Sequence, residues 1–262
     1  MAEDFKEKIV VVTGGSRGIG RGIANAFARA GAQTVLVAAT QKNLDAAADA
    51  IAAEGHLKPL VSAGDLGSLK SCEAAFALVK EKFGRCDILV NSAGATKAGS
   101  FVDQPDEDWI AGFNGKYFAA VRMSRLFWPM LVAAKGSLVN IAGVAGRQPD
   151  PNFLVGGSAN AAMINFSKGL AGQGKKDDVN VNVILPGITE TDRVMDLMKQ
   201  RAAALNISMD EARKQTLTKG NIRRIGTVED IAALALFLCS PAARHIQGTQ
   251  ITVDGGATDA MS

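Results

Sequence analysis

Eight residues, Thr13-Gly14-Gly15-Ser16-Arg17-Gly18-Ile19-Gly20, constrain this chain more than any other stretch. A β-branched run, Ile9–Thr13, leads straight into them, and a helix-forming stretch, residues 20–30, follows. Glycines after a strand let the backbone turn tightly and let a pyrophosphate approach it. The unpaired N–H groups at the start of the helix then face the anion. Gly14, Ser16, Arg17, Gly18, Ile19 and Gly20 are therefore candidate dinucleotide contacts, because strand, turn and helix occur in the order that such a site requires.

The same alternation continues along the chain. Short apolar runs at residues 34–38, 58–62, 88–91, 137–141, 180–185 and 250–253 predict strands. They are near-continuous rather than alternating, as in parallel strands covered on both faces. Helices are predicted at 41–54, 69–83, 106–134, 158–173 and 228–239, the last capped by Thr227 with Asp230 three residues on. This pattern predicts one α/β domain over residues 1–262, a doubly wound parallel sheet with helices on both faces. Residues 188–226 contain no strand and mix charged with apolar side chains. They are read either as a surface helical insertion or as a helical lid over a pocket.

Composition removes several function classes. The net charge of +3 is too small to suggest a nucleic-acid surface. Cys72, Cys86 and Cys239 are scattered, so no disulfide scaffold is expected, and His56 and His245 form no metal-ligand pattern. The longest apolar run, residues 231–239, falls far short of the ~20 residues of a membrane span. The first apolar run passes directly into the glycine turn, leaving no room for a cleavable signal, so a cytoplasmic location is expected.

The end of the second strand meets the adenosine ribose, about 20 residues past the glycine turn. An acid there favours a free 2′-hydroxyl. Here the residues are Ala38-Ala39-Thr40-Gln41-Lys42, with no acid, and Arg17 stands in the turn nearby. A cation with hydroxyl donors such as Thr40 suits a 2′-phosphate, so NADP(H) is expected in preference to NAD(H).

With these residues in view, the chain resembles the short-chain dehydrogenase/reductase family, in particular its 3-oxoacyl-carrier-protein reductase-like members. Thr13–Gly20 looks like that family's TGxxxGxG turn. Asp65-Leu66 matches its adenine-contacting position, and Asn91-Ser92-Ala93-Gly94 its motif after the fourth strand. Pro186-Gly187 with Thr191 matches the PGxxxT segment beside the nicotinamide. The resemblance implies a Rossmann-type fold and cofactor contacts at Asp65, Leu66, Asn91, Ala93, Gly94, Pro186, Gly187 and Thr191. It also implies a homotetramer or homodimer built on the two long helices.

The family's chemistry uses Ser, Tyr and Lys, usually with Asn. Its spacing places the Ser at Gly143, the Tyr at Gly156, the Lys at Asn160 and the Asn at Lys116. The single tyrosine, Tyr117, is followed four residues on by Val121, so no Tyr-x-x-x-Lys exists. Asn160 keeps a hydrogen bond to offer the ribose, without charge. Lys116 is the candidate replacement proton donor, since a desolvated lysine is pulled toward neutral pKa. Tyr117 is turned about 100° away on the same helix and is read as a core or subunit contact. The sequence thus leaves an atypical NADP(H)-dependent oxidoreductase on a carbonyl or alcohol as the first expectation. The alternative is a catalytically silent NADP(H)-binding subunit or sensor, paired with an active relative; chemistry other than hydride transfer is the third reading. No metal and no nucleic-acid partner are expected, and the substrate is unspecified.

Overall fold

A computed structural model of the chain describes residues 5–259. Seven strands form one sheet: β1 (Ile9–Thr13), β2 (Gln33–Ala38), β3 (Leu60–Ala63), β4 (Ile88–Asn91), β5 (Ser137–Ile141), β6 (Asn180–Pro186) and β7 (Gln250–Val253). Their order is β3-β2-β1-β4-β5-β6-β7, and every pairing is parallel. The order reverses between β1 and β4. In open α/β sheets the ligand crevice lies at that switch point, outside the carboxyl ends of the strands.

Burial explains the unbroken apolar runs. Side chains alternate across a strand, and here both faces are covered. Val10 and Val12 of β1 pack with α1 (Gly18–Arg29), α2 (Gln41–Ala53) and α9 (Val228–Leu238) through Ile23, Phe27, Leu44, Ile51 and Ile231. Val11 points the other way, into a cluster with α3 (Leu69–Phe83) and α5 (Ala119–Ala134) that contains Val79, Met123, Phe127 and Leu131. Met163 and Ile164 of α6 (Leu154–Asp177) cover β6 beside it. At the amino end of the sheet, Asp87 ties β1 to β4 by accepting from Ile9 N at 3.0 Å, Arg85 Nε at 2.8 Å and Lys8 Nζ at 3.1 Å.

Two predicted helices change shape. Residues 106–134 are not one helix: α4 (Asp106–Phe113) passes into a π-helical turn, Asn114–Phe118, before α5 begins. Gly112 and Gly115 weaken the local preference for tight α geometry, and wide turns of this kind recur at functional sites. Helix α6 starts ahead of its predicted position, at Leu154, so that Gly156 and Gly157 lie inside its first turn. Gly156 is accommodated because the Phe153 ring fills the space beside it.

Residues 188–226 form α7 (Asp192–Leu205) and α8 (Met209–Gly220). Their N-caps are Thr191, accepting from Val194 N, and Ser208, accepting from Glu211 N. A parallel bridge, Thr189 to Gly226, pins the two ends of the segment together, and Arg213 pairs with Glu190 at 3.1 Å. The capping box predicted at Thr227 and Asp230 is present. No helix among the described residues is long and apolar enough to cross a membrane.

Candidate active site

A cleft of about 960 Å³ opens over the carboxyl ends of β1, β2, β4 and β5. Its floor is the glycine turn. Gly14 adopts a left-handed φ of +68°, and a Cβ there would meet Ser92 O at 2.7 Å, so glycine is required on both counts. Thr13 Oγ1 accepts from Ser92 N and Ala93 N, each at 3.0 Å, which fixes the chain after β4 against the turn. Thr191 closes the far side; its methyl would lie 3.4 Å from a Cβ at Gly18.

Of the residues expected from sequence, Gly14, Ser16, Arg17, Gly18, Ile19, Gly20, Thr40, Asp65, Leu66, Ala93, Gly94, Lys116 and Thr191 line this one cleft. Arg17, Thr40 and Asn43 line it together beside the end of β2. Asn91, Asn160, Pro186 and Gly187 do not line it. Asn91 is buried beneath the floor, donating to Ser124 Oγ at 3.1 Å and to Asn140 Oδ1 at 2.9 Å; Asn140 in turn donates to Ser167 Oγ at 2.8 Å. Pro186 is buried as the last residue of β6. Asn160 is buried in α6 behind Gly143.

Lys116 stands at the other end of the cleft, in the π-helical turn. A Cβ at Gly94 would fall 2.6 Å from the Lys116 Cβ, so glycine at 94 lets the β4 loop press against this turn. The Lys116 amine donates to Ile141 O at 3.3 Å and Ala142 O at 3.4 Å, at the carboxyl end of β5. No carboxylate among the described residues pairs with it. Burial, and then repulsion from the Arg193 guanidinium, lower its pKa from 10.5 to about 8. Tyr117 turns away, its ring set edge-on to Phe113, Phe118 and Phe166.

Sequence reading missed Asn43 and Arg193. Asn43 lies in the first turn of α2, and its distance from the end of β2 carries that signal. Arg193 carries none: it follows Thr191 by two residues and reaches across the cleft mouth to donate to Thr96 O at 2.7 Å. No cluster of His, Cys, Asp or Glu among the described residues is able to hold a metal ion.

A family profile described as enoyl-(acyl carrier protein) reductase matches residues 14–258. The chain is 34% identical over 257 residues to an uncharacterized oxidoreductase, YvrD, of Bacillus subtilis, covering 96% of this chain and 97% of that protein. This chain belongs to the short-chain dehydrogenase/reductase family. Among solved structures, L-sorbose reductase of Gluconobacter frateurii, complexed with NADPH and L-sorbose, superposes with a TM-score of 0.95 at 30% identity, covering 100% of both chains. An NADPH-bound short chain oxidoreductase of Pseudomonas aeruginosa PAO1, described as containing an atypical catalytic center, superposes with a TM-score of 0.89 at 27% identity. That alignment covers 99% of this chain and 100% of the other.

Proposed function

We propose that this chain is an NADP(H)-dependent oxidoreductase acting between a carbonyl and its alcohol, with Lys116 moving the proton in place of the usual Ser, Tyr and Lys. The observation that carries it is the Lys116 amine, partly buried in the cleft, unpaired with any carboxylate among the described residues and lowered to about 8. An acid with a pKa near the working pH is well matched to give up and regain a proton. On the family's spacing, Gly143, Gly156 and Asn160 occupy the positions of those three residues. The Pseudomonas relative, described as containing an atypical catalytic center, is in keeping with this reading.

The cleft fits a dinucleotide phosphate. The glycine turn lies open at its floor, and Arg17 and Thr40 offer a cation and a hydroxyl there, with no acid in residues 38–42 at the end of β2. Two relatives hold NADPH. Bound there, the cofactor would supply a hydride to a carbonyl carbon. Lys116 Nζ then gives its proton to the oxygen and recovers one from solvent. Residues 188–226 act as the lid, with Arg193 strapping it to Thr96. The assembly is a homotetramer or homodimer through α5 and α6.

Calorimetric titration with NADPH and NADH is the first test. NADPH is expected to bind at least about tenfold more tightly, with the preference lost in Arg17→Ala, since a charge-assisted hydrogen bond contributes roughly 1.5–3 kcal/mol. L-sorbose and a panel of ketones then probe turnover. Reduction should fall as pH rises through about 8, where Lys116 loses its proton, and oxidation should rise. Lys116→Ala should abolish turnover and leave NADPH affinity unchanged. Binding of neither cofactor refutes the proposal; NADPH binding without turnover, with an active relative copurifying, supports the silent-subunit alternative.

A further inference from the structure

Lys116 and Arg193 both line the cleft, and no carboxylate among the described residues pairs with either. Arg193 uses one N–H on Thr96 O at 2.7 Å, and its other N–H groups meet no acceptor among the described residues. Other arginines of residues 188–226 are paired, Arg213 with Glu190 at 3.1 Å and Arg224 with Asp230 at 2.8 Å. The acids that line the cleft are committed elsewhere. Asp65 accepts from Gly67 N at 2.9 Å. Glu107 and Asp192 stand in the first turns of α4 and α7, where the helix dipole suits them.

Each of the two cations stands where its own surroundings disfavour it. Arg193 is the second residue of α7, so its charge opposes the positive end of that helix dipole. Lys116 is desolvated, the Arg193 charge adds to the penalty, and no carboxylate offsets the two. The placement is also specific. The Arg193 guanidinium reaches Thr96 rather than the glycine turn, where Arg17 supplies a cation. Thr96 belongs to the wall that carries Lys116: its methyl would lie 3.2 Å from a Cβ at Gly112, one helical turn before Lys116. Two unpaired, mutually repelling cations in one cleft are relieved together by a single anion.

We propose that the substrate is an oxo acid, whose carboxylate binds the free N–H groups of Arg193 while its ketone oxygen takes the proton of Lys116. This inference rests on the carbonyl-reducing function proposed above. A planar guanidinium suits a carboxylate, because two parallel N–H groups meet its two oxygens. Hydride from NADPH adds to the ketone carbon, leaving NADP+, and the π pair moves onto the oxygen, which Lys116 Nζ protonates. The product is the hydroxy acid, and the carboxylate is unchanged. Its charge also favours the protonated amine that reduction needs.

The test measures NADPH oxidation with pyruvate, acetoacetate and levulinate, each against its methyl ester, in wild type, Arg193→Gln and Arg193→Lys. Within a pair the substrates differ in charge, and across the pairs the carboxylate moves away from the ketone. In wild type at least one acid should exceed its ester in kcat/KM by about tenfold or more, the size of one charge-assisted bond. Arg193→Gln should bring that ratio near one, and Arg193→Lys, which keeps the charge, should keep part of it. A lid merely loosened at Thr96 would lower acid and ester alike and leave the ratio unmoved. By calorimetry, NADPH affinity of Arg193→Gln should stay within about threefold of wild type, less than the loss of one charge-assisted bond. NADPH binding weakened about tenfold or more assigns Arg193 to a cofactor phosphate instead. That result, a ratio that survives Arg193→Gln, or esters preferred in every pair overturns the inference and leaves the carbonyl-reducing function standing. A wild-type chain that binds NADPH but oxidises it with no acid, ester or other ketone overturns both.

Discussion

Replacing Lys116 with methionine should make the protein more stable, and the gain should depend on pH. Burial and the Arg193 charge hold the amine at about 8, against 10.5 when free. At about 1.4 kcal/mol per pKa unit, that fall places a penalty of roughly 3 kcal/mol on the charged folded state. The unfolded chain binds the extra proton between those two values. The penalty is therefore complete below pH 8, shrinks as pH rises, and is gone above 10.5. Methionine matches the length of the stem and carries no charge, but it forfeits the bonds to Ile141 O and Ala142 O. At 3.3 and 3.4 Å these are long, and together they contribute about 1–2 kcal/mol. The net gain for Lys116→Met is then about 1–2 kcal/mol at pH 7, turning into a loss of about 1 kcal/mol near pH 10.5. Urea unfolding of both proteins at pH 7, 8.5 and 10 reads the difference directly. A variant less stable than wild type at pH 7, or a difference that stays flat across the series, would refute a desolvated amine at this position.

Asp87 offers the opposite sign. Burial pushes its carboxyl up, but bonds from Arg85, the Ile9 N–H and Lys8 outweigh burial and hold it below the usual range. Its contribution is present above the unfolded pKa and lost as pH falls through the lowered one, so Asp87→Asn should cost about 1–3 kcal/mol at pH 7. The gap should narrow on acidification below pH 4, as followed by circular dichroism. Thr227→Ala removes the hydroxyl that caps α9 and should cost about 1 kcal/mol in urea unfolding. Gly156→Ala places a Cβ on the Phe153 ring and should cost about 1–3 kcal/mol despite its better helix propensity. The same change in a Phe153→Ala background should be neutral or stabilising, a coupling that a double-mutant cycle measures.

The centre of the sheet was legible because β1, β4, β5 and β6 are buried along their whole length, and a run such as Ile9–Thr13 has few other ways to be buried. The adenosine half of the cleft was legible for a related reason. Backbone geometry there demands glycine, and Arg17 and Thr40, singled out by their place after β1 and β2, line the same cleft. The other half was harder. The π-helical turn leaves no periodic mark, since one added residue per turn is lost within a pattern of 3.6. Arg193 lines the cleft from the first turn of α7, a placement no motif marks. Asn160, expected from sequence to offer the ribose a hydrogen bond, has its amide against Gly143.

The glycines at 143 and 156 acquire a common explanation from their neighbours. Phe153 lies across the space that any side chain at 156 would need, and the Asn160 amide presses on the space that one at 143 would need. Each small residue is thus matched by a larger one turned into its place, as close packing requires when volume is removed from one side of a contact. On the proposed function these are the positions from which a serine and a tyrosine would otherwise act. Installing any one of them meets a neighbour that has already filled the gap, so the phenol requires Phe153 to leave and the hydroxyl requires Asn160 to give way. The site is packed around its present residues, which fits a cleft whose chemistry has moved to Lys116 better than one in which three side chains were lost and nothing adjusted.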